Sequence, residues 1–304
     1  MTSLPFLRCL ALLFLAVPSP LGADSASPAP AASPSPSQNH PVVDPRRLAV
    51  PKKADPSLPS LFLVGDSTMK VETPGQRGWG EEMAQFFDLT KINVVNTAIG
   101  GRSSRTFQAE GRWDTVLAMI QKSDFVIVQF GHNDASPIND NSRARGTIRG
   151  VGEETQEIDN MLTKKHEVIH SFGWYMRKYV TDIKAKGAMP IIMSLTPRNN
   201  WMNGKIVRAT GENYGGWAQQ TAVATGATFV DHNEIIAEAL DKLGQDAATP
   251  MFADLKLHAS PAGAKLNAQM AVSGLKGIPG DPLGPYFSHE ADSIPAFTGT
   301  AAAK

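Results

Sequence analysis

The amino-acid sequence predicts an α/β protein with a three-layer α/β/α sandwich. Two observations favour this fold class. Short runs of β-branched and other apolar residues alternate with segments of helical length, as expected for strands that are buried on both faces of a parallel sheet. In addition, the apolar content of 42% is enough for the core that such a sheet needs. Alternation of this kind implies right-handed crossovers through helices on both faces.

The elements follow one another along the chain in the order that this fold requires. Five strands are predicted, at 61–64, 92–95, 125–130, 190–195 and 228–230. Helices are predicted at 80–87, 113–122, 167–186, 214–225, 233–243 and 261–275, and the strongest pattern is that of 167–186. Ser67, Gly101 and Asn133 each follow a predicted strand. Because ligands bind beyond the carboxyl ends of such strands, the sheet should gather these three residues at one edge.

The two ends of the chain differ in composition from its middle. Residues 1–23 have the pattern of a secretory signal peptide, which predicts a secreted or periplasmic protein; an uncleaved membrane anchor is the alternative. Residues 24–59 form a linker rich in Pro, Ala and Ser, and 60–278 form the folded domain. Residues 279–304, which contain several Pro and Gly, predict a loose C-terminal tail.

Composition excludes several classes of function. Lys plus Arg and Asp plus Glu are equal at 29 each, so the chain lacks the basic surface of a nucleic-acid-binding protein. The sole cysteine, Cys9, lies in the predicted signal, which excludes disulfides and thiol catalysis in the mature protein. After residue 23 the sequence has no apolar run long enough for a transmembrane helix, so stable membrane insertion is not expected. The sequence leaves the oligomeric state open.

A serine and a histidine have the surroundings that nucleophilic catalysis requires. Ser67 directly follows the first apolar run in Gly-Asp-Ser, where a turn exposes its hydroxyl. A serine hydroxyl needs a base to remove its proton, and His258 is the candidate base. Ser260 as N-cap and Pro261 at the first helical position would fix the loop that carries His258.

Acyl transfer also needs donors for the oxyanion of its tetrahedral intermediate. Gly101 offers a backbone N–H without a side chain to hinder the substrate. Asn133 offers a side-chain amide, and the backbone N–H of Ser67 is the third candidate donor. Taken singly, each of these residues is more often a turn or a cap than a catalytic group. Their joint occurrence at strand ends is what predicts a site.

Four sequence blocks, taken together, resemble those of the SGNH (GDSL) hydrolase superfamily, and most closely the rhamnogalacturonan acetylesterase family. The similarity runs from about residue 61 to residue 275. It implies a flavodoxin-like fold of five parallel strands, Ser67 as nucleophile, His258 as base, and Gly101 and Asn133 in the oxyanion hole. The blocks are Gly65-Asp-Ser67, Asn96-Thr-Ala98 leading into Gly101-Arg-Ser103, Gly131-His-Asn-Asp134 and His258 to Ala264.

One position departs from the family pattern. The acid of the triad is expected three residues before the histidine, but Leu255 stands there, and Asp254 lies four residues before His258. Two interpretations follow. Either the loop bulges and brings Asp254 onto Nδ1 of His258, which we favour, or a backbone carbonyl orients the ring and the enzyme works with a dyad.

A second histidine pattern predicts different chemistry. Residues 166–170 read His-Glu-Val-Ile-His, which matches a zinc-protease motif if they lie on a helix. The absence of an evident third ligand nearby favours a fortuitous match, so no metal and no organic cofactor are expected.

The resemblance implies a serine esterase that removes acetyl groups from a plant cell-wall polysaccharide, most closely rhamnogalacturonan (pectin), through an acyl-serine intermediate. Its partner would be an acetylated polysaccharide or oligosaccharide. One alternative is a broad-specificity GDSL lipase or arylesterase. A second alternative is a non-catalytic carbohydrate-binding protein on a hydrolase scaffold, which the shifted Asp254 leaves open.

Overall fold

A central parallel sheet organises the chain. The computed structural model describes residues 49–299. Its strands, in chain order, are β1 (Ser60–Gly65), β2 (Asn93–Asn96), β3 (Phe125–Gln129), β4 (Thr155–Asp159), β5 (His166–His170), β6 (Met189–Met193), β7 (Trp201–Met202), β8 (Lys205–Ile206) and β9 (Thr228–Val230). Five of them pair in parallel in the order β2-β1-β3-β6-β9. The predicted five-stranded, flavodoxin-like sheet is therefore confirmed.

Helices cover both faces of this sheet. They are α1 (Ser104–Ala109), α2 (Arg112–Met119), α3 (Phe172–Ala185), α4 (Tyr214–Thr225), α5 (His232–Leu243), α6 (Gln245–Ala248) and α7 (Pro261–Lys276). Successive residues of β1 point to opposite sides, so Phe62 packs with residues of α2, α3 and α4, whereas Leu63 packs with residues of α5 and α7. The three-layer sandwich follows from these two apolar layers. Within residues 49–299, no helix has the length and apolarity needed to cross a bilayer.

Part of the predicted helix 167–186 is a strand instead. Residues His166–His170 form β5, which pairs antiparallel with β4, and α3 begins only at Phe172. The boundary is set by Ser171, whose side chain accepts the backbone N–H of Trp174 as an N-cap at 3.0 Å. The apolar residues before Ser171 have spacings that suit either structure, so pairing with β4 decides.

In the first half of the domain, two short elements differ from the prediction. The predicted helix 80–87 is a pair of 3₁₀ turns, Trp79–Glu81 and Met83–Phe86. Helix α1 was not predicted; Ser103 caps it by accepting the backbone N–H of Thr106 at 3.1 Å. Both elements are too short to show a clear apolar period.

The expectation of a loose tail is wrong for residues 279–299, which pack on the helical face that carries α7. Leu283, Ala291 and Ile294 are buried there. Nζ of Lys276 donates to the carbonyls of Ala291 and Ile294, at 2.6 and 2.9 Å. Proline and glycine set the irregular path of this segment, but its few apolar residues complete the core beneath β1.

The N-terminal predictions fall mostly outside the described residues. The proposed signal, 1–23, and the linker up to residue 48 lie there. The described end of the linker contacts the domain: Nζ of Lys53 forms an ion pair with Asp124 at 3.0 Å, and both side chains are buried. The side chain of Asn93 bonds the carbonyl of Asp55 at 2.8 Å.

Candidate active site

Ser67 lies in a tight turn at the carboxyl end of β1. The buried Asp66 before it accepts the N–H and the hydroxyl of Thr68 through Oδ1, both at 2.8 Å. The backbone N–H groups of Met69 and Lys70 donate to the Asp66 carbonyl, each at 3.1 Å. These bonds fold the chain back beneath Ser67 and leave the serine itself half-buried. Burial raises the pKa of Asp66, and its bonds from Thr68 oppose this.

Three side chains form a continuous hydrogen-bonded line. Oγ of Ser67 lies 2.9 Å from Nε2 of His258. Nδ1 of the same ring lies 2.6 Å from Oδ2 of Asp254. Ser67 and His258 are 191 residues apart in the chain, so the fold alone brings them together. A base that bonds the hydroxyl on one side and a carboxylate on the other has the arrangement of a Ser-His-Asp triad.

The bulged loop, one of the two interpretations of the sequence, is what the structure contains. Leu255 adopts a left-handed backbone with φ of 60°, and its side chain is 63% exposed. This extra residue lets Oδ1 of Asp254 accept the N–H groups of Lys256, Leu257 and His258 at 2.8 to 3.0 Å. Oδ2 is thereby turned toward the imidazole. Asp254 consequently reaches His258 from four residues away.

The bonds to Asp254 also set its charge. Burial by itself raises the pKa of this carboxyl, but the hydrogen bonds from Leu257, His258 and Lys256 outweigh that effect and lower the pKa below its usual value. Asp254 is therefore ionised at neutral pH and can stabilise a protonated His258.

Neighbouring segments hold the histidine loop in place. The carbonyls of Leu255 and Lys256 accept bonds from the side chain and backbone of Asn199, at 3.0 and 2.8 Å. On the other side, Ser260 caps α7, as the sequence predicts, by accepting the N–H of Gly263 at 3.3 Å. The loop is thus fixed at both ends, which restricts the orientation of the imidazole.

Gly101 and Asn133 lie at the same edge as Ser67. They follow β2 and β3, the two strands that flank β1. Gly101 has a φ of 80°, which favours glycine, and a Cβ on the preceding Gly100 would lie 3.6 Å from Cβ of Ser67. Nδ2 of Asn133 donates to the carbonyl of Arg102 at 2.8 Å. This bond orients the amide and leaves its second N–H without a protein acceptor among the described residues.

Sequence reasoning missed Arg145, which holds the glycine loop. Its guanidinium donates from Nη1 to the carbonyl of Gly101 at 2.9 Å and from Nε to Oγ of Ser136 at 3.1 Å. Only 7% of Arg145 is exposed. The sequence carries no local signal for this contact, because the two partners are 44 residues apart and in different loops.

Asp134 and His132 are two further buried groups in the third block. Asp134 accepts the Ser104 hydroxyl at 2.5 Å, and burial raises the pKa of Asp134 to about 7. His132 lies 3.3 Å from the Thr196 hydroxyl, and burial lowers the pKa of His132 to about 3, with a contribution from the charge of Arg198. His132 is therefore neutral at neutral pH. The Gly131-His-Asn-Asp134 motif singles out this segment, but it does not indicate that burial shifts the pKa values of His132 and Asp134.

The His-Glu-Val-Ile-His pattern does not form the geometry of a zinc-protease motif. It lies on β5, where residues four apart are about 13 Å from each other rather than one helical turn. His166 contacts Asp159 at 3.1 Å, whereas His170 stacks on the ring of Trp174. Across residues 49–299, no three His, Cys, Asp or Glu side chains are grouped to hold a metal ion.

Known proteins resemble the chain in both sequence and fold. It is 33% identical over 209 residues to the rhamnogalacturonan acetylesterase of Emericella nidulans, covering 69% of this chain and 81% of that protein. It is 28% identical over 228 residues to the probable rhamnogalacturonan acetylesterase YesY of Bacillus subtilis, covering 72% and 94%. The crystal structure of the YxiM protein of Bacillus subtilis shares the fold, with a TM-score of 0.59 at 24% identity. That match covers 74% of this chain and 58% of YxiM.

A family model extends the same relationship across the domain. The model of the GDSL-like Lipase/Acylhydrolase family matches residues 63–266, a span that begins within β1 and ends within α7. It includes Ser67, Gly101, Asn133, Asp254 and His258. The chain therefore belongs to the GDSL-like Lipase/Acylhydrolase family and is a carboxylic ester hydrolase.

Proposed function

We propose that this protein removes acetyl groups from a plant cell-wall polysaccharide, and that this polysaccharide is rhamnogalacturonan. The hydrogen-bonded line from Ser67 through His258 to Asp254 is the observation that carries the proposal. Two relatives that bear the name rhamnogalacturonan acetylesterase support the substrate. The signal-like residues 1–23, together with a polymeric substrate, support a secreted or periplasmic enzyme.

In the proposed mechanism, Ser67 attacks the carbonyl carbon of the acetyl ester. Nε2 of His258 takes the hydroxyl proton, and the carboxylate of Asp254 stabilises the imidazolium that results. The tetrahedral intermediate collapses when His258 gives its proton to the departing sugar oxygen, which leaves an acetyl group on Ser67. His258 then deprotonates a water molecule that attacks the acetyl-serine, and it returns this proton to Oγ of Ser67 as acetate is released.

Three donors are proposed for the oxyanion. They are the backbone N–H groups of Ser67 and Gly101 and the second amide N–H of Asn133. Within residues 49–299 none of the three has a protein acceptor. Donors held in this way need no rearrangement when negative charge develops on the carbonyl oxygen.

Acetate release is the experiment that tests the proposal. We expect the protein to release acetate from acetylated rhamnogalacturonan, and Ser67→Ala to abolish the release while keeping the melting temperature. Ser57→Ala is the matched control, because Ser57 is exposed at the opposite end of β1. Acetylated xylan and an aryl acetate should be measured beside the pectic polymer.

The other functions predict different results. Activity on aryl esters alone, with a preference for long acyl chains, would identify a broad lipase or arylesterase. A carbohydrate-binding protein would bind the glycan without ester turnover, and Ser67→Ala would leave that binding unchanged. The contact between Asp254 and His258 supports the esterase over this alternative.

A further inference from the structure

A cationic pocket opens directly beside Gly101. Its volume is about 140 Å³, and Gly101 and Ala144 form part of its wall. The charged residues that line it are Arg102, Arg105, Arg143, Arg145, Lys165, His166, Glu110 and Glu167. Gly101 is also a proposed oxyanion donor, so the pocket adjoins the place where the ester would react.

The acidic side chains of the pocket are already paired. Glu110 contacts Arg102 at 3.0 Å and Arg112 at 3.6 Å. Glu167 contacts Arg105 at 2.7 Å. His166 faces Asp159 at 3.1 Å and Glu157 at 3.8 Å, both of which lie on the neighbouring β4. The two acidic residues that line the pocket, Glu110 and Glu167, are thus engaged by Arg102, Arg112 and Arg105.

Among the described residues that line the pocket, Arg143, Arg145 and Lys165 have no carboxylate within ion-pair distance. Arg143 and Lys165 both line the pocket and are exposed. Arg145 is buried, and burial followed by the charge of Arg143 lowers the pKa of Arg145 to about 10. Arg145 therefore remains charged at neutral pH. The charges of Asp66 and Asp134 act on Arg145 in the opposite direction, and its guanidinium donates to Gly101 and Ser136, so Arg143 and Lys165 are the cations that face solvent.

The loop that presents Arg143 and Arg145 is preorganised. Ala144 between them is buried and has a φ of 37°, a left-handed conformation that disfavours alanine. Oδ1 of Asp140 accepts the N–H groups of Ser142 and Ala144 at 3.0 and 2.8 Å and holds this turn. Strain of this kind persists where the surroundings fix it, and the next residue, Arg145, donates to the carbonyl of Gly101.

We infer that this pocket binds the carboxylate of a uronic acid residue adjacent to the acetylated sugar. The inference rests on the proposed deacetylation and specifies the chemistry of the substrate beyond the acetyl group. Arg143 and Lys165 would meet the carboxylate, and Arg145 would link its position to the Gly101 loop. A neutral polymer would gain nothing from these cations, so the pocket would favour acidic polysaccharides.

The double variant Arg143→Gln plus Lys165→Gln tests the inference, because neither residue belongs to the proposed catalytic machinery. We expect kcat/KM to fall about 10-fold on acetylated rhamnogalacturonan and to stay unchanged on acetylated xylan and an aryl acetate. The salt dependence of the pectic reaction should also flatten. Lys186→Gln is the control, since Lys186 is an exposed cation at the C-terminal end of α3 and does not line the pocket.

Inhibition of aryl acetate hydrolysis by different anions shows which anion the pocket binds. Unacetylated oligogalacturonate should inhibit the wild type but not the double variant, while a xylo-oligosaccharide and inorganic phosphate should inhibit neither at matched ionic strength. Inhibition by phosphate alone, or equal loss on acidic and neutral polymers, would overturn the inference. If the wild type hydrolyses none of the esters, the proposed function itself fails, which is a separate result.

Discussion

Asp254 binds His258 twice: Oδ2 lies 2.6 Å from Nδ1 of the ring, and Oδ1 accepts the backbone N–H of the same residue at 3.0 Å. One carboxylate thus holds both the imidazole and the loop that carries it. The left-handed Leu255 makes this double contact possible across a spacing of four residues.

Asp254→Asn should lower kcat on an aryl acetate by about 10²- to 10⁴-fold. The amide oxygen can still accept the backbone N–H groups, so the loop should persist. The amide nitrogen, however, would face Nδ1 and favour the tautomer in which Nε2 cannot accept the Ser67 proton. Asp246→Asn, at an exposed position on α6, is the matched control. A kcat within threefold of wild type, with the fold intact by circular dichroism, would instead indicate a dyad.

Asn133→Ala should reduce kcat by about 10²- to 10³-fold with little change in KM, because the oxyanion exists only in the transition state. Steady-state kinetics on an aryl acetate measures the two constants separately. Gln245→Ala, which removes an exposed amide from α6, should behave as wild type. A variant that changed only KM would show that Asn133 contributes to substrate binding rather than to the oxyanion hole.

The raised pKa of Asp134 predicts a pH dependence of stability. Burial raises the pKa of Asp134 in the folded state to about 7, well above that of an exposed aspartate. The folded state therefore retains a proton that the unfolded chain has lost, and the free energy of unfolding should fall as pH rises from about 4 to about 7. Urea unfolding across that range measures the slope. In Asp134→Asn the slope should be smaller, whereas Asp246→Asn should keep it; an unchanged slope in Asp134→Asn would contradict the assignment.

Leu283→Ala should destabilise the protein by about 2–4 kcal/mol, because Leu283 is fully buried in the C-terminal segment. Leu89→Ala is a suitable comparison, since Leu89 is 56% exposed and its truncation should cost little. Denaturant midpoints for both variants give the difference. Equal midpoints would mean that residues 279–299 contribute nothing to the stability of the domain.

Local patterns were sufficient to predict the sheet and to single out Ser67 and His258, which the structure brings into contact. Buried strands produce apolar runs, and Ser67 and His258 stand in motifs at the ends of predicted elements. The contact of Asp254 depends on the backbone of Leu255, which no propensity indicates. Strand β5 depends on pairing with β4, which outweighs a local apolar pattern that suits a helix equally well.

At the candidate site, the position of Arg145 also could not be predicted from local sequence patterns. Arg145 holds the glycine loop through a contact with Gly101, which lies 44 residues away in a different loop, and no local sequence pattern indicates such a contact. The packed tail is a related case: its proline and glycine content predicts irregular backbone correctly, yet burial of Leu283 and Ile294 depends on the surface that α7 presents. Composition describes a segment, whereas its neighbours decide whether it is ordered.

Ser67 and His258 are 191 residues apart, so their contact cannot form until most of the domain has been synthesised. Parallel sheets with long crossovers close their distant contacts slowly, and here the base is supplied by nearly the last part of the domain to be synthesised. A chain that ended before Asp254 would contain Ser67 without either Asp254 or His258.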